Sequence, residues 1–393
     1  MRPAALATVA VRGGIDCDAA HGAVTPPLHL SSTFSFECLG QPRRYDYGRS
    51  GNPTRDLLAE TLTELEGGAG AVVTASGLAA VTTVLALLGP DDLLVAPHDG
   101  YGGCWRLFTA LARRGQLRLA LVDQRDPTAL AAVLAQQPRL LWLETPSNPL
   151  LRLVDIAALA QAGHAAGALV CVDNTFLSPA LQRPLALGAD LVVHSTTKYL
   201  NGHSDVVGGA VVAADAGLAA ELAWWANALG LTGSPFDSLL TLRGLRTLAV
   251  RLAQHQHNAE AVARRLADAP GVAAVHWPGL ARHPDHALAL RQQHGPGAIV
   301  SIELADGEPA VRAFLEGLRC FTLAESLGGV ESLIAHPATM THAAMSEQAR
   351  TCAGIGPGLL RLSVGIEDAR DLLADLDDAL ARVAAVAPCK EAA

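Results

Sequence analysis

The sequence has few cysteines and no paired cysteine motif. Its 393 residues include 7 cysteines, and no two of them form a CxxC pair. An odd number of cysteines without metal-ligand or redox spacing predicts reduced thiols, as in cytosolic proteins. The start of the chain lacks a convincing secretory signal, because Arg12 and Asp16 arrive before an apolar stretch develops. We therefore expect a cytoplasmic protein.

Long apolar runs and blocks of like charge are also absent. The longest apolar run, Leu78 to Leu88, is interrupted by threonines and is shorter than the roughly 20 residues that a membrane helix needs. The net charge is −9, and charged residues make up 17% of the chain. These features argue against a membrane span and against a nucleic-acid-binding surface.

Motifs for metals and nucleotides are missing as well. The sequence contains no HExxH, Walker A or strand-to-helix GxGxxG motif. Two histidine pairs, His255 with His257 and His283 with His286, could be taken for metal ligands. They lie in polar, loop-like or helical sequence that is typical of a surface, without the rigid scaffold that catalytic zinc usually requires. We therefore predict no metal site.

The apolar residues that are present indicate two domains. Half of the chain is apolar, which is enough for a sizeable core. Residues 1–60 carry turn signals and predict an extended arm. Residues 61–256 alternate short apolar runs with helical segments, which predicts a mostly parallel sheet covered on both faces. Residues 257–393 predict a smaller C-terminal α/β domain, and one long helix is expected from about Ser238 to Leu266.

Distinctive polar residues follow several predicted strands. One predicted strand begins at Ala71 and ends before the Ser76-Gly77 turn, and the others are Leu93–Ala96, Leu117–Val122, Leu140–Leu143, Leu169–Val172, Leu191–Val193 and Gly209–Ala213. Ligands of such sheets bind beyond the carboxyl ends of the strands. Tyr101, Arg106 and Asn148 follow two of these strands, and Asp173 and Lys198 follow two more. We therefore expect one shared site at this edge of the sheet.

A lysine and an aspartate indicate the chemistry of this site. Lys198 follows a buried run and stands among small hydroxyl residues, where a lowered pKa would give the neutral amine that forms Schiff bases. Asp173 lies 25 residues upstream, at the end of the preceding strand. A lysine for the aldehyde and an aspartate for the pyridinium nitrogen are the usual protein groups in pyridoxal phosphate chemistry. The alternative for Lys198 alone is a surface lysine that ends a strand.

Two turns offer groups for a phosphate. Arg49 has the planar fork that suits phosphate, and Tyr47 has a hydroxyl donor. The alternative is a solvated loop before a helix that begins at Pro53. Residues Ser76, Gly77 and Leu78 open another helix, whose N–H groups could bind an anion. The alternative there is an ordinary junction with an N-capping serine.

Two further side chains suit a cofactor and a substrate. Tyr101 lies in a glycine-rich loop, where its ring could stack on an aromatic cofactor or serve only for packing. Arg361 alternates with apolar residues in a predicted strand of the C-terminal domain. It suits a substrate carboxylate, and a surface ion pair is the alternative.

Taken together, these motifs resemble the Cys/Met-metabolism family of fold-type I pyridoxal-phosphate enzymes over essentially the whole chain. The seven motifs, in the family's order, are Asp46–Arg55, Leu94–Gly103, Glu144–Pro149, Val172–Pro179, His194–Asp205, Glu221–Asn227 and Ala324–Leu333. The resemblance implies an aspartate-aminotransferase-like α/β fold, with a mostly parallel seven-stranded sheet in the large domain and a smaller C-terminal α/β domain. It also implies pyridoxal 5′-phosphate as the cofactor and a homotetramer, a dimer of dimers with shared active sites.

The resemblance also implies a role for each candidate residue. Lys198 would bind the cofactor covalently and carry protons, Asp173 would hold the protonated ring nitrogen, and Tyr101 would stack on the ring and assist proton transfer. The phosphate would be bound by Ser76, Gly77, Leu78, Ser195 and Thr197, and by Tyr47 and Arg49 of a neighbouring subunit. The substrate would be bound at its α-carboxylate by Arg361, Asn148 and Ser326, and at its distal end by Arg106, Asp46 and Glu325.

The reaction implied by the resemblance is γ-replacement, in which O-succinyl-L-homoserine and L-cysteine give L-cystathionine and succinate. Two alternatives within the family are the cleavage of cystathionine by γ-elimination and the use of O-acetylhomoserine. Gly103 stands where methionine γ-lyases of the family usually have cysteine, which counts against that activity. Gly48 and Leu78 depart from the family's usual serine or threonine and methionine, but they leave the phosphate-binding groups intact. A non-catalytic scaffold is disfavoured because the lysine, the aspartate and both arginines are present.

Overall fold

The computed structural model describes residues 4–386, so the end of the predicted C-terminal domain, 387–393, lies outside the described residues. The chain begins with helix α1 (Leu6–Arg12). Residues 13–52 follow as an irregular segment with isolated β-bridges. This segment, which we call the arm, leads into the first long helix.

The long helix α2 (Pro53–Glu66) begins where the sequence predicts a helix, and this prediction is confirmed. Asn52 caps the helix, because its Oδ1 accepts hydrogen bonds from the N–H groups of Thr54 and Arg55 at 2.9 and 3.1 Å. Proline suits the first helical position, where no N–H donor is needed. The helix ends at Gly67, which adopts a left-handed conformation with φ of 75°.

Seven strands form the larger sheet. In chain order they are β1 (Gly70–Thr74), β2 (Leu93–Pro97), β3 (Arg118–Val122), β4 (Leu140–Glu144), β5 (Leu169–Asp173), β6 (Leu191–His194) and β7 (Gly209–Ala213). The spatial order is β1-β7-β6-β5-β4-β2-β3, and β7 alone runs antiparallel to its neighbours, β1 and β6. The predicted mostly parallel seven-stranded sheet is confirmed.

Helices cover both faces of this sheet. They are α3 (Gly77–Leu85), α4 (Gly102–Arg113), α5 (Pro127–Leu134), α6 (Ile156–Ala165), α7 (Ser178–Leu181), α8 (Ala216–Leu229) and α9 (Pro235–Leu245), with a 3₁₀ turn at Pro184–Leu187. Successive side chains of a strand point to opposite faces. In β4, Trp142 packs into one apolar cluster, and Leu141 and Leu143 pack into another. This double burial explains why the strands are near-continuous apolar runs.

The prediction of one long helix from Ser238 to Leu266 is wrong. A two-residue break separates α9 from α10 (Leu248–Ala267). Just before the break, the backbone at Gly244 packs against Asn201, where a Cβ atom would lie only 2.2 Å from the Asn201 carbonyl oxygen. The Gly244 carbonyl instead accepts a hydrogen bond from the Arg251 guanidinium at 2.9 Å. This packing depends on distant parts of the chain and leaves no local sequence signal.

A second, smaller sheet follows α10. The remaining elements are β8 (Val272–His276), α11 (His286–Gln292), β9 (Ile299–Leu304), α12 (Gly307–Leu315), β10 (Thr322–Leu323), β11 (Leu333–Ala335), α13 (Glu347–Ala353), β12 (Leu359–Ser363) and α14 (Ala369–Val386). The five strands have the order β10-β11-β12-β9-β8. Of the helices within residues 4–386, none combines the length and the apolar character that crossing a membrane would require.

Candidate functional site

A pocket of about 550 Å³ opens at the carboxyl ends of the parallel strands, where ligands of such sheets bind. It is lined by the ends of β5 and β6, by the starts of α3 and α4, and by residues of the C-terminal part. All but three of the sequence-predicted site residues line it. They are Ser76, Gly77, Leu78, Tyr101, Arg106, Asn148, Asp173, Ser195, Thr197, Lys198, Glu325, Ser326 and Arg361.

Lys198 lies in the turn that follows β6, and its side chain is mostly withdrawn from water. Its Nζ donates a hydrogen bond to Ser326 Oγ at 2.7 Å. Burial and, to a smaller extent, the charge of Arg361 lower the pKa of Lys198 to about 8, while Glu325 acts in the opposite direction. A substantial fraction of the side chain is therefore a neutral amine near pH 8, as nucleophilic attack on a carbonyl requires.

Asp173 is the last residue of β5, and its carboxyl group is held from one side only. The N–H of Thr175 donates to Oδ1 at 3.0 Å. Burial raises the pKa of Asp173, and the hydrogen bond from Thr175 and the nearby His194 lower it. A cation placed against this carboxylate would offset its desolvation. Asp173 therefore suits a protonated ring nitrogen.

The start of α3 forms a cradle for an anion. Ser76 Oγ caps the helix by accepting from the Ala79 N–H at 3.1 Å. The N–H groups of Gly77 and Leu78 have no acceptor among the residues that the structure describes. Gly77 packs closely on Ser195, since a Cβ atom at Gly77 would lie 2.8 Å from Ser195 Cβ. Free N–H groups beside a hydroxyl at a helix N-terminus suit a phosphate.

Thr197 stands beside this cradle, but its hydroxyl already has partners. It donates to the Gly208 carbonyl at 3.2 Å and accepts from the Gly208 N–H at 3.0 Å. The side chain thereby fixes the turn that carries Lys198. To donate a hydrogen bond to a phosphate, the Thr197 hydroxyl would have to give up the bond that it donates to the Gly208 carbonyl.

Tyr101 and Glu144 are hydrogen-bonded to each other at the N-terminus of α4. The Tyr101 N–H donates to Glu144 Oε2 at 2.7 Å. The tyrosine ring lies over Gly103, where a Cβ atom would come within 2.5 Å of the ring carbon Cε1. Burial raises the pKa of the Tyr101 hydroxyl, so the phenol is neutral at physiological pH. A side chain at position 103 would displace this ring.

Arg361 and Asn148 form a carboxylate-binding arrangement. The Arg361 guanidinium donates to Asn148 Oδ1 at 2.9 Å and to the Ser326 carbonyl at 2.8 Å. Its Nε is buried without a hydrogen-bond partner in the described structure. Burial lowers the pKa of Arg361 to about 10, so the group stays cationic near neutral pH. A buried cation with an unused donor suits a carboxylate.

Three predicted residues do not reach this pocket. Asp46, Tyr47 and Arg49 lie on the arm, outside the pocket lining. Arg49 donates to the Asn227 carbonyl at 3.0 Å, and its guanidinium lies 5.7 Å from the centroid of the Tyr47 ring. Asp46 accepts from the Ser50 hydroxyl at 2.6 Å. One chain therefore does not bring these groups to its own Lys198.

Two positioning groups were missed by the sequence reasoning. Glu144 lies inside a quoted motif, but nothing in the sequence showed that its carboxylate accepts the N–H groups of both Tyr101 and Asn148. His342 contacts the Asn148 carbonyl from a position 194 residues away. No motif or spacing in the sequence pointed to this contact.

The histidines considered as metal ligands have other surroundings. The surface assignment is wrong for His255, which is fully buried and whose Nδ1 lies 2.7 Å from the Val364 carbonyl oxygen. His283 is also buried. Across residues 4–386, no group of three or more His, Cys, Asp or Glu side chains has a geometry that could hold a metal ion.

The pocket groups together fit pyridoxal 5′-phosphate. The start of α3 offers N–H donors for a phosphate, Asp173 offers a buried carboxylate for a ring nitrogen, and Lys198 offers an amine of lowered pKa for an aldehyde. These three chemistries are the ones that the cofactor requires from a protein. The residues required by this cofactor therefore occur in one pocket.

Known proteins carry the same combination of fold and motifs. The profile of the family described as Cys/Met metabolism PLP-dependent enzyme matches residues 7–381. Over 375 residues the chain is 58% identical to the cystathionine gamma-synthase of Escherichia coli (strain K12), covering 95% of this chain and 97% of that protein.

Solved structures are similar over the whole fold. The crystal structure of cystathionine gamma synthase from Xanthomonas oryzae pv. oryzae, in complex with aminoacrylate and cysteine, matches with a TM-score of 0.97 and 64% identity, covering 98% of this chain and 99% of that chain. Cystathionine gamma-lyase from Lactobacillus plantarum, complexed with L-serine, matches with a TM-score of 0.94 and 41% identity, covering 97% and 100%. The predicted fold type and cofactor are confirmed. The chain belongs to the Cys/Met metabolism family of pyridoxal 5′-phosphate-dependent enzymes.

Proposed function

We propose that the enzyme catalyses γ-replacement on O-succinyl-L-homoserine, with L-cysteine as the nucleophile and L-cystathionine and succinate as products. The similarity to cystathionine gamma-synthases supports the reaction type. The position of Arg106 is the observation that supports the succinyl ester over the acetyl ester. Its exposed guanidinium stands in the pocket wall and has no salt bridge or side-chain hydrogen bond within residues 4–386. An unpaired cation there suits the distal carboxylate that a succinyl ester has and an acetyl ester lacks.

The proposed roles follow from the position of each group. Pyridoxal 5′-phosphate, when bound, supplies an electron sink for negative charge that develops on the substrate. Asp173 keeps a proton on the ring nitrogen, and Tyr101 packs against the ring. Lys198 takes and returns protons at successive substrate carbons, and the Ser326 hydroxyl at 2.7 Å directs its Nζ. A flexible amine can reach more than one carbon, which a fixed carboxylate cannot.

The substrate is oriented at its two ends. Arg361, with Asn148 and Ser326, binds the α-carboxylate, since these groups already converge on one buried guanidinium. Arg106 binds the succinyl carboxylate. Glu325 lines the same pocket, and it attracts the amino group of the incoming cysteine together with Asp46 of a second subunit.

The phosphate is bound by groups of two subunits. Ser76, Gly77, Leu78, Ser195 and Thr197 contribute from the subunit that holds Lys198. Tyr47 and Arg49 contribute from a second copy, in a homotetramer built from two dimers. Large apolar side chains of the arm and of α8 support this assembly, because Leu39 and Trp224 are 102% and 61% exposed in one chain. The cysteines within residues 4–386 are free thiols, which fits a cytoplasmic enzyme.

The test compares kcat/KM for O-succinyl- and O-acetyl-L-homoserine, each with L-cysteine, in the wild type and in an Arg106→Gln variant. We expect the wild type to prefer the succinyl ester. We expect Arg106→Gln to lower kcat/KM about ten- to a hundredfold for the succinyl ester and little for the acetyl ester, because one charge-assisted contact is lost. Cystathionine cleavage is measured in the same preparations.

Arg113 offers a matched control, since it lies in the last turn of the same helix, α4, and does not line the pocket. Arg113→Gln changes the net charge equally and should leave both kcat/KM values unchanged. A wild type that prefers the acetyl ester, or an Arg106→Gln variant that loses activity equally on both esters, would contradict the choice of ester. Faster cleavage of cystathionine than its formation would favour the γ-elimination alternative.

A further inference from the structure

A buried histidine that has no assigned role contacts the peptide of Asn148. His342 lies in the loop between β11 and α13, and its side chain is 0% exposed. Its Nε2 lies 3.0 Å from the backbone oxygen of Asn148, and its Nδ1 lies 2.8 Å from the Thr341 hydroxyl. Met340 and Thr341, the two residues before it, line the pocket. The loop therefore joins the pocket wall to the segment that carries Asn148.

The hydrogen-bond partners assign the tautomer of this ring. Burial, with a smaller effect of the Arg361 charge, lowers the pKa of His342 to about 4, so the ring is neutral near pH 7 and has one N–H. A backbone carbonyl can only accept, so the proton lies on Nε2, which donates to Asn148. Nδ1 then accepts from the Thr341 hydroxyl. Both ring nitrogens then have a partner, Nε2 as a donor and Nδ1 as an acceptor.

Asn148 is held at three points, and His342 supplies one of them. Its N–H donates to Glu144 Oε1 at 3.0 Å. Its carbonyl accepts from His342, and its Oδ1 accepts from Arg361 at 2.9 Å. Because the side-chain amide and the backbone carbonyl belong to one residue, rotation of the Asn148 peptide would move the acceptor away from the guanidinium. Loss of the His342 contact would remove one of the three restraints on that rotation.

The loop that carries His342 is itself packed tightly on α4. A Cβ atom at Gly102, the first residue of α4, would lie 2.4 Å from the carbonyl oxygen of Thr341. The same helix start carries Tyr101, whose N–H is bound to Glu144. Glu144 and His342 therefore hold the Tyr101 and Asn148 segments from two separate parts of the chain.

We propose that His342 is a positioning residue for binding of the substrate α-carboxylate, acting through the Asn148 peptide on the Arg361 guanidinium. The proposal rests on the proposed role of Arg361 as the carboxylate-binding group. It does not place His342 in contact with the substrate. It predicts that loss of the His342 contact weakens the binding of ligands that carry an α-carboxylate and leaves the binding of matched ligands without it nearly unchanged.

The test uses the holoenzyme and two amines that carry no leaving group. L-Norleucine has the α-carboxylate but no leaving group, and n-pentylamine is the same molecule without the carboxylate. Dissociation constants are measured by titration, followed through the absorbance of the bound cofactor. We expect His342→Ala to weaken L-norleucine about tenfold and n-pentylamine less than about twofold, because one buried hydrogen bond that fixes the clamp is removed. His342→Gln, whose amide N–H can reach the Asn148 carbonyl, should restore most of the L-norleucine affinity.

His336 provides a matched control in the same loop. It is also buried, but its ring contacts Thr339 and the Pro357 carbonyl and does not contact Asn148. His336→Ala should leave the ratio of the two dissociation constants unchanged. If His342→Ala fails to fold, the shorter His342→Asn, which cannot reach the Asn148 carbonyl, is compared with His342→Gln in the same way.

Three outcomes would overturn the proposal. The first is an unchanged ratio in the variants that lose the contact, and the second is equal weakening of both ligands. The third is an equal change of the ratio in the His336 control.

An Arg361→Lys variant separates this proposal from the proposed function. If that variant binds L-norleucine as the wild type does, the carboxylate-binding assignment fails first and the role of His342 falls with it. If Arg361→Lys weakens L-norleucine and His342→Ala does not, only the role of His342 is wrong.

Discussion

At the scale of single residues, the pKa of Lys198 is the property most directly open to measurement. Lys198 and Lys390 are the only lysines in the chain, so chemical labelling of amines gives few products. Burial and the charge of Arg361 both disfavour the ammonium form of Lys198, and its pKa falls to about 8. An unperturbed lysine has a pKa of about 10.4. The lowered pKa increases the fraction of Lys198 that is a neutral amine near pH 8, which is the form that the proposed chemistry needs.

We therefore predict the pH dependence of Lys198 acylation in the apoenzyme. Only the neutral amine reacts, so the labelling rate should rise with pH, pass its midpoint near pH 8, and level off where an ordinary lysine is still mostly protonated. The measurement is a short pulse of acetic anhydride at each pH, followed by mass spectrometry of the peptide that contains Lys198. An Arg361→Met variant should shift the midpoint to higher pH, because a neighbouring positive charge is removed. A midpoint near that of an unperturbed lysine would contradict the prediction.

The pocket residues near strand ends, such as Asp173 and Lys198, could be predicted from the sequence, because the carboxyl ends of parallel strands meet at one edge of a sheet. Asp173 ends β5 and Lys198 follows the neighbouring strand β6, so finding the strands was enough to bring them together. Ser195, Thr197, Glu325 and Ser326 were expected only from the family resemblance. The contact of His342 with Asn148 spans 194 residues and depends on how a loop of the C-terminal part packs on α4. No periodicity or spacing in the sequence encodes that approach.

At the scale of elements, α2 links the arm to the core through its cap. Asn52 is 2% exposed. Besides capping α2, its Nδ2 donates to the His29 carbonyl at 2.8 Å. One side chain therefore satisfies two helix N–H groups and one carbonyl of the arm. Its loss would leave buried polar groups without partners.

We predict that Asn52→Ala lowers the free energy of unfolding by about 2 kcal/mol, the sum of a lost N-cap and an unsatisfied buried group. Asp126 is the matched control, because it caps α5 through the N–H groups of Thr128 and Ala129 but is exposed and does not contact the arm. Asp126→Ala should cost about 1 kcal/mol or less. The measurement is urea denaturation of both variants. Equal losses would show that the contact with the arm adds nothing.

Helix α10 illustrates which features of the elements escaped prediction. Its first half packs Leu248 and Leu252 into a cluster with α2 and β7, and its second half packs Val262 and Leu266 against the smaller sheet. The predicted boundary between residues 256 and 257 falls within this helix and stays a prediction. Strand positions were predictable because burial on both faces imposes long apolar runs. Helix α10 packs against two cores and therefore has a mixed apolar pattern. For this reason, neither the break before α10 nor the division of the helix between the two cores could be predicted.

At the scale of the whole molecule, the arm carries phosphate-binding residues that could belong to the pocket of its own chain or to the pocket of a second copy. Tyr47 and Arg49 have phosphate-binding chemistry but do not line the pocket of their own chain. The arm also exposes Tyr47 and Leu39, which are 51% and 102% accessible. Both observations are explained if a second copy covers the arm and receives these two residues. The idea can be tested because it assigns residues of one pocket to two chains.

We predict that two inactive variants restore activity when they assemble together. Lys198→Ala removes the proposed base of its own pocket, and Arg49→Ala removes a proposed phosphate contact of the neighbouring pocket. In a mixed dimer, one pocket combines the intact Lys198 of one chain with the intact Arg49 of the other, so random pairing should give about a quarter of the wild-type activity. The measurement is γ-replacement activity after co-expression, with each variant alone as the baseline and two Lys198→Ala chains with different tags as the control for assembly. If Arg49 served its own chain, every pocket of the mixture would carry a lesion, and co-expression would restore nothing.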